Sequence, residues 1–332
     1  MTANLPSSFE TVLARVTQSS RCGQRDAFYE LAFRSMSTDC RVNFVSKDAS
    51  LAKRFQSEIL QWIAWFEAHY SRFIPDSLIS RINAAAGLHW VEVDPETDAI
   101  FNLCQEMVFF TKGVFDPTSM PLIRLWDWKA KPSIIPDDQK VKATLELVGW
   151  RKVQRRNGAI FLPVKGMCLD FGGIGKEYAV DRVLRLGVDC GIENLLVDFG
   201  QDVRVHGQPP ERGSWYIGLE DPKQPGKCWT AVAVNNHAVA TSGDYVRNFT
   251  INGRRFGHII DPRDGYPVNN GCLSVSVIAP NCTMAGIMST SAFVLGPKAG
   301  LQMMDLCHGV EGAITLDGSR IHTRSFYSYA TK

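Results

Sequence analysis

The sequence predicts an α+β fold, and three observations carry that expectation. Residues 48–70 place their apolar side chains at helical spacing. Beyond residue 150 the chain breaks into short, β-rich runs separated by Gly, Pro or Asn. Two further helical patterns, at 175–187 and 283–295, interrupt that series. The 332 residues are 45% hydrophobic and 21% charged, values of a globular chain long enough to bury a sizeable core, and they exclude disordered and collagen-like architectures.

Taken in order, FYELAFRSMSTDCRVNFVS (28–46) alternates apolar and polar positions, which predicts one or two opening strands. Residues 1–27 then read as an N-terminal extension to a domain spanning 28–332. Leu51, Phe55, Ile59, Leu60, Ile63 and Phe66 form the stripe of the long helix. In RFIPDSLISRIN, Pro75 is followed by Asp76 and Ser77, both able to cap a short helix at 78–83 that Gly87 ends. A helix at 97–112 stops at Gly113. KPSIIPDD (131–138), with two prolines and paired acids, is the expected lobe boundary and precedes a helix at 138–148. AIFLPV, NLLVDFG, DVRVHG, WYIGLED, AVAVNN and SVSVIAP predict strands, and a helix near 297–307 precedes the final ones.

Lys+Arg 36 against Asp+Glu 34 leaves a net charge of +2, with no broad cationic field for nucleic acid or an anionic membrane. No apolar run reaches the length of a signal-peptide core or a membrane span, so the chain reads as soluble and cytoplasmic. Nine scattered cysteines without a C-x-x-C pair read as reduced, mostly buried thiols.

Four segments carry candidate chemistry. In LDFGGIGKEYAVD, Gly172, Gly173 and Gly175 lead into a helix whose first turn holds Lys176. Backbone N–H groups at such a start, with the lysine, hold a phosphate, and Asp170 accepts from a polar ligand head. The same turn recurs wherever a helix packs tightly on a sheet. ATSGDYVRNF places Thr241, Ser242, Gly243 and Asp244 in a turn after a strand at 231–235, where Ser and Asp also commonly satisfy their own backbone. GHIIDPRDGYP sets His258 before Asp261 and Asp264; a histidine is the preferred base for deprotonating a hydroxyl, and a nearby acid orients it. GVFDPTSMPLIRLWDW puts Asp116 ahead of Trp126 and Trp128, either a turn into core aromatics or a ring pocket with one polar anchor.

In order and spacing, from Met36 in FRSMSTD to FVLG at 293–296, these segments resemble the ApbE family, the FAD:protein FMN transferases. The resemblance implies an ApbE-like, T-fold-related α+β fold of two lobes with FAD in the cleft between them. It further implies a magnesium ion on the pyrophosphate, transfer of FMN through its phosphate to a threonine of a target flavoprotein, and release of AMP. By the same resemblance Met36, Phe73, Phe115, Asp116, Asp170, Lys176, Ser242, Asp244 and Ile260 line the FAD site, and His258 is the general base. The carbonyl of Gly173 and the hydroxyl of Thr290 fall at the metal. The implied partners are FAD and a flavoprotein with a threonine acceptor motif, with no nucleic acid and no membrane span; the sequence specifies no oligomeric state.

Several positions depart from the family pattern. Where the family reads A-D-A-L-x-T, residues 285–290 read AGIMST, so Gly286 stands in place of the metal-binding carboxylate. Glu177 replaces the glycine of K-G-Y, Gln201 the second glycine of G-G-D, Ser37 the glycine of M-G-T, and Phe73 a ligand-stacking tyrosine. A hard divalent cation on two phosphates usually keeps at least one protein carboxylate. The sequence therefore admits a second reading, an FAD-binding protein of the same fold with altered or lost catalysis. It also leads to the expectation that Gly286→Asp tightens magnesium binding.

Overall fold

The computed structural model describes residues 5–127, 129, 134–210, 212–245, 247–251 and 253–331. In chain order the elements are α1 (Phe9–Ser19), β1 (Arg21–Arg25), β2 (Phe28–Ser35), β3 (Thr38–Val45), α2 (Ala49–Tyr70), α3 (Leu78–Ala84), β4 (Val91–Glu92), α4 (Pro95–Phe110), α5 (Met120–Leu125) and α6 (Asp138–Leu145). There follow β5 (Gln154–Arg156), β6 (Ala159–Phe161), α7 (Gly175–Asp189), β7 (Leu195–Phe199), β8 (Asp202–His206), β9 (Trp215–Glu220), β10 (Cys228–Val234), β11 (Ala238–Gly243), β12 (Asn248–Ile251), β13 (Arg254–Gly257), β14 (Cys272–Ala279), α8 (Cys282–Asp305), β15 (Glu311–Leu316) and β16 (Arg320–His322).

A nine-stranded sheet in the order β1-β2-β3-β7-β8-β11-β14-β15-β16 forms the frame, antiparallel at every pairing. Alternation along each strand sends one set of side chains to each face. Val42, Phe44, Leu195, Val197, Ala238, Ala240, Val275 and Val277 meet α2, α7 and α8 in the main core. Val203, Val205, Val239 and Ile278 point the other way, onto Trp215, Leu219 and Val232 of the β9–β10 hairpin. The expected α+β class is the observed one. The nine cysteines carry no disulfide, and among the described residues no helix is long and apolar enough to cross a membrane.

The apolar stripe of α2 is buried as its spacing requires, with Phe55, Ile59 and Ile63 wholly covered. Asp48 caps this helix by accepting from the N–H groups of Ser50 and Leu51. Ser77 caps α3 by accepting from the Ser80 N–H at 3.0 Å. The helices expected at 283–295 and 297–307 are the two halves of α8, broken at Gly296, whose φ of 82° only glycine adopts freely, and restarted at Pro297. The side-chain amide of Asn270 donates to the Phe293 and Val294 carbonyls that this break leaves unpaired.

Two differences from the sequence reading affect the site. Thr241, Ser242 and Gly243, expected in a turn, belong to strand β11 and pair with Ser276, Val275 and Ser274 of β14. The strand that the sequence places before them is β10, in a separate hairpin. Within 1–27, residues 9–25 form α1 and β1: Val12 and Val16 enter the main core, and β1 is the sheet's edge. Residues 1–4, Trp128 and positions 131–133 of the expected lobe boundary lie outside the described residues; 134–138 lead directly into α6.

Two tight hairpin turns abut at one end of the sheet. Met36 and Ser37 join β2 to β3 with φ of 50° and 62°, and Gly200 and Gln201 join β7 to β8 with φ of 59° and 72°. Positive φ at both central residues matches the twist of the flanking strands. A Cβ on Gly200 would collide with the Thr38 side chain. Gly200→Ala is therefore expected to lower stability by about 1–2 kcal/mol, read as a lower denaturation midpoint with an unchanged slope.

Candidate active site

The glycine turn ahead of α7 is held from three sides. The amide side chain of Asn83 on α3 donates to the Leu169 carbonyl at 2.9 Å and accepts from the Leu169 N–H at 2.6 Å. The Asp170 N–H donates to the Pro117 carbonyl at 2.9 Å. Arg72 donates to the Asp170 carboxylate at 2.5 Å, and its guanidinium also lies 4.4 Å from the centre of the Phe73 ring. That ring is 74% exposed. A Cβ on Gly172 would sit 2.6 Å from Asp170 Oδ2, so only glycine lets the carboxylate fold back over the turn. Gly173 is exposed, with the Phe115 ring edge 3.8 Å from where its Cβ would be.

Lys176 forms an ion pair with Asp202, the first residue of β8. Burial pulls the lysine's pKa down, but Asp202 and Glu177 outweigh it and the net direction is upward. The amine stays an ammonium. Met36, in the neighbouring hairpin turn, donates its N–H to Glu67 at 3.1 Å, and Ser35 donates to the same carboxylate oxygen at 2.5 Å. Glu67 is paired in turn with Arg15 of α1, so a helix that the sequence reading does not assign fixes a candidate ligand-lining residue.

Ser242 brings three hydroxyls together: its Oγ lies 2.8 Å from both Ser289 Oγ and Thr290 Oγ1 on α8. Ser289 also donates to the Gly286 carbonyl. Among the described residues no three of His, Cys, Asp and Glu gather as a metal group, so a cation here would draw partly on hydroxyl and carbonyl oxygens. Gly286 is not an empty gap. A Cβ built on it would lie 2.5 Å from Cγ and 3.2 Å from Oε1 of Glu177, which reaches across from α7. Glu177 is 8% exposed and its Oε2 is buried with no hydrogen-bond partner. Burial and then the neighbouring Asp202 carboxylate push its pKa up to about 8, with Lys176 opposing. An aspartate at 286 would meet Glu177, so it fits only where the Glu177 side chain moves aside, a condition that the sequence reading of Gly286→Asp does not include.

His258 follows β13, at the mouth of the β12–β13 hairpin, where register sets it opposite Arg247. Its Nδ1 is 3.1 Å from the Arg247 carbonyl. A carbonyl only accepts, so this contact requires the proton on Nδ1 and leaves the Nε2 lone pair free. Burial, then the Arg247 charge, lowers the imidazole's pKa below 6.5, and the ring is neutral at pH 7. The sequence reading assigns its orientation to a nearby acid, whereas a backbone carbonyl does this instead. Asp261 is engaged by Arg263 and accepts from Arg263 N–H. Asp244 is buried in an ion pair with Arg255 and packs against Gly257, beside His258.

One segment joins these parts. Its front, Phe115 to Ser119, lies on the glycine turn through the Asp170–Pro117 hydrogen bond and a bridge between Ser119 and Cys168. Its back carries Trp126, which donates to the Gly265 carbonyl at 2.7 Å and stacks on Phe256. Ile260 bridges to Pro267 across the turn that follows His258 and packs on the Trp126 cluster. Asp116 organises the segment: it accepts from Thr118 N–H and hydroxyl and from the Trp150 N–H, and burial raises its pKa against these bonds. The glycine turn and the histidine hairpin are thus fastened to one strap. Residues that sequence reasoning did not assign are the ones that set candidates in place, namely Arg72, Glu67, Asp202, Ser289 and Arg255.

Backbone N–H groups, hydroxyls and a neutral imidazole set about one strap are the parts of a protein that handles an anionic, phosphate-bearing ligand. The chain belongs to the ApbE family, whose profile matches residues 36–314. The FAD:protein FMN transferase of Treponema pallidum (strain Nichols) is 30% identical over 322 residues, covering 90% of this chain and 88% of that one. The enzyme of that name from Vibrio cholerae serotype O1 is 27% identical over 275 residues, 82% of each chain. Among solved structures, the ApbE protein of Thermotoga maritima MSB8 superposes with a TM-score of 0.84 at 30% identity, covering 92% of this chain and all (100%) of that one. The flavin transferase ApbE from Vibrio cholerae shares the fold at a TM-score of 0.81 and 24% identity, over 93% of this chain and 100% of that one.

Proposed function

We propose that the protein is an FAD:protein FMN transferase, which cleaves FAD, attaches FMN through a phosphoester to a threonine of a target flavoprotein, and releases AMP. The observation that carries this reading is the match to relatives of that name along 82% to 90% of this chain. The geometry supports it at the base. His258 presents a neutral ring whose free lone pair is on Nε2, as deprotonation of a hydroxyl requires.

The acceptor hydroxyl attacks the FMN phosphorus, its proton passes to His258 Nε2, and the bond from that phosphorus to the bridging oxygen of the AMP moiety breaks. The N–H groups of Gly172 and Gly173 and the Lys176 ammonium hold phosphate oxygens, those of Ile174 and Gly175 being taken by the Phe171 carbonyl, while Phe73, backed by Arg72, offers a stacking face for a flat ring. Met36, Phe115 and Ile260 are the residues we assign to the FAD site's walls, with Asp116 held by the Trp150 N–H and Asp244 by Arg255. The hydroxyls of Ser242 and Thr290 and the carbonyl of Gly173 are oxygen donors for magnesium, which when bound neutralises phosphate oxygens and the leaving group. In this reading the transferase domain takes in α1 and β1 ahead of residue 28, with its lobe boundary near 131–138. Nine unpaired thiols suit a reducing compartment such as the cytoplasm.

Incubating the protein with FAD, magnesium and a flavoprotein domain bearing a threonine acceptor should give a covalently fluorescent band and stoichiometric AMP. No fluorescent band and no AMP across several acceptors would sink the transferase reading. The altered-binder reading drew its support from the missing carboxylate at 286, and Glu177 places a carboxylate in that space.

A further inference from the structure

We propose that Glu177 supplies, from α7, the carboxylate for a divalent cation that position 286 on α8 does not provide; the assignment rests on the transferase reading of the site. Three observations on α7 and α8 carry it. The first is exclusion: the Cβ of any side chain at 286 would stand 2.5 Å from Glu177 Cγ and 3.1 Å from its Cδ, so the space beside Gly286 is the space that this carboxylate fills. An acid at 286 therefore displaces the Glu177 side chain from the position it holds. The two departures from the family pattern are then one exchange, in which the acid crosses from one helix to the other and the glycine crosses back.

The second is the orphaned oxygen. Glu177 Oε2 is buried without a hydrogen-bond partner, which is costly for a carboxylate unless a cation or donor completes it. The nearby ammonium does not do so, because Lys176 is paired with Asp202.

The third is placement. The side chain of Asp181 accepts from the Cys282 and Thr283 N–H groups, while Glu177, one turn earlier on α7, meets Gly286, one turn later on α8. The helices therefore run antiparallel with matched faces. Thr290 is one further turn along that face of α8, so the Glu177 carboxylate and the Thr290 hydroxyl belong to one side of the helix. Glutamate is longer than aspartate by one methylene, which is the extra reach an acid on α7 needs to enter a space on α8.

The test titrates Mn²⁺ alone into the full chain, read as loss of the free-ion paramagnetic resonance signal and by calorimetry. FAD binding without metal is measured beside it by flavin fluorescence. Glu177→Gln, which keeps shape and removes charge, is expected to weaken Mn²⁺ by about tenfold or more while FAD affinity stays within about twofold. The exchange variant Glu177→Gly/Gly286→Asp is expected to regain wild-type Mn²⁺ affinity. Gly286→Asp alone, forced against Glu177, is expected to melt lower and bind Mn²⁺ no more tightly. Undiminished Mn²⁺ affinity in Glu177→Gln, or no Mn²⁺ binding by the wild type, overturns the assignment. If the wild type transfers FMN and Glu177→Gln still binds Mn²⁺ normally, only the assignment fails. If Mn²⁺ depends on Glu177 but no acceptor is labelled, only the transferase reading fails.

Discussion

His258→Ala should reduce FMN transfer by about 10²–10⁴-fold, equivalent to about 3–5 kcal/mol of barrier, while FAD remains bound. The expectation follows from how the ring is set. Its Nδ1 proton is committed to the Arg247 carbonyl, so Nε2 is the base, and the lowered pKa keeps that base unprotonated at neutral pH. The truncation should leave the hairpin intact, because the strand pairing of Asn248 with Gly257 and the Asp244–Arg255 ion pair do not involve the imidazole. The histidine's share of the pH profile should accordingly decline on the acid side, with a midpoint below the ordinary histidine value of 6.5. Stability follows the same sign. The contribution of the neutral ring is fully present above the unfolded pKa and is lost as pH falls through the lower folded one. Single-turnover transfer across pH 5–8, with AMP quantified, reads both. An alanine variant that transfers at the wild-type rate would strip His258 of its role.

Signals carried within a few residues were legible in the sequence, and signals that depend on distant partners were not. The stripe of α2, the Ser77 cap of α3 and the Gly296–Pro297 break in α8 each arise from local spacing or local φ preference. Asp76, which looks like an equal candidate for that cap, instead bonds to Ser7 and to the Ser8 N–H at the start of α1, a tertiary partner that no local rule announces. Strand β11 was hidden because Ala238 and Ala240 lack bulk. They suit a central strand whose neighbours and overlying α8 leave little room, a fact of packing and not of propensity. α5 is only six residues long, MPLIRL, too short to show a period. The candidate site divides the same way. Gly173, Lys176, Thr290 and His258 sit in recognisable local strings, whereas Arg72 and Asp170 are 98 positions apart and meet only in the fold. The placement of Glu177 was not legible for the same reason: nothing in spacing supports a ligand role for it, and it meets Gly286 only in the fold.

Asp181→Ala should be the most destabilising single change near the site, at about 3 kcal/mol, with the melting midpoint lower by on the order of 5 °C. Asp181 is on α7, but its carboxylate serves α8: it accepts from the N–H groups of Cys282 and Thr283 at 2.8 and 2.9 Å and from the Thr283 hydroxyl at 2.7 Å. Asn281, the residue preceding α8, accepts from the Met284 N–H, so the helix's first three donors are satisfied by these two side chains. The negative charge also faces the positive end of the helix dipole. The same carboxylate holds Arg204, whose Nε is already buried without a partner, so alanine would leave both an uncapped helix and a poorly compensated guanidinium. Arg204→Met separates the two effects, since it keeps the cap and removes only the cation; it should cost clearly less than Asp181→Ala. The consequence for function is geometric. Without the anchor, the start of α8 loses its register on α7, and Gly286 and Thr290 lie within its first turns, facing Glu177 and Ser242. Asp181→Ala should therefore weaken Mn²⁺ binding in proportion to the loss of order there, seen as faster amide exchange at the start of α8. Unaltered exchange and melting would mean that the helix is held by its apolar face alone.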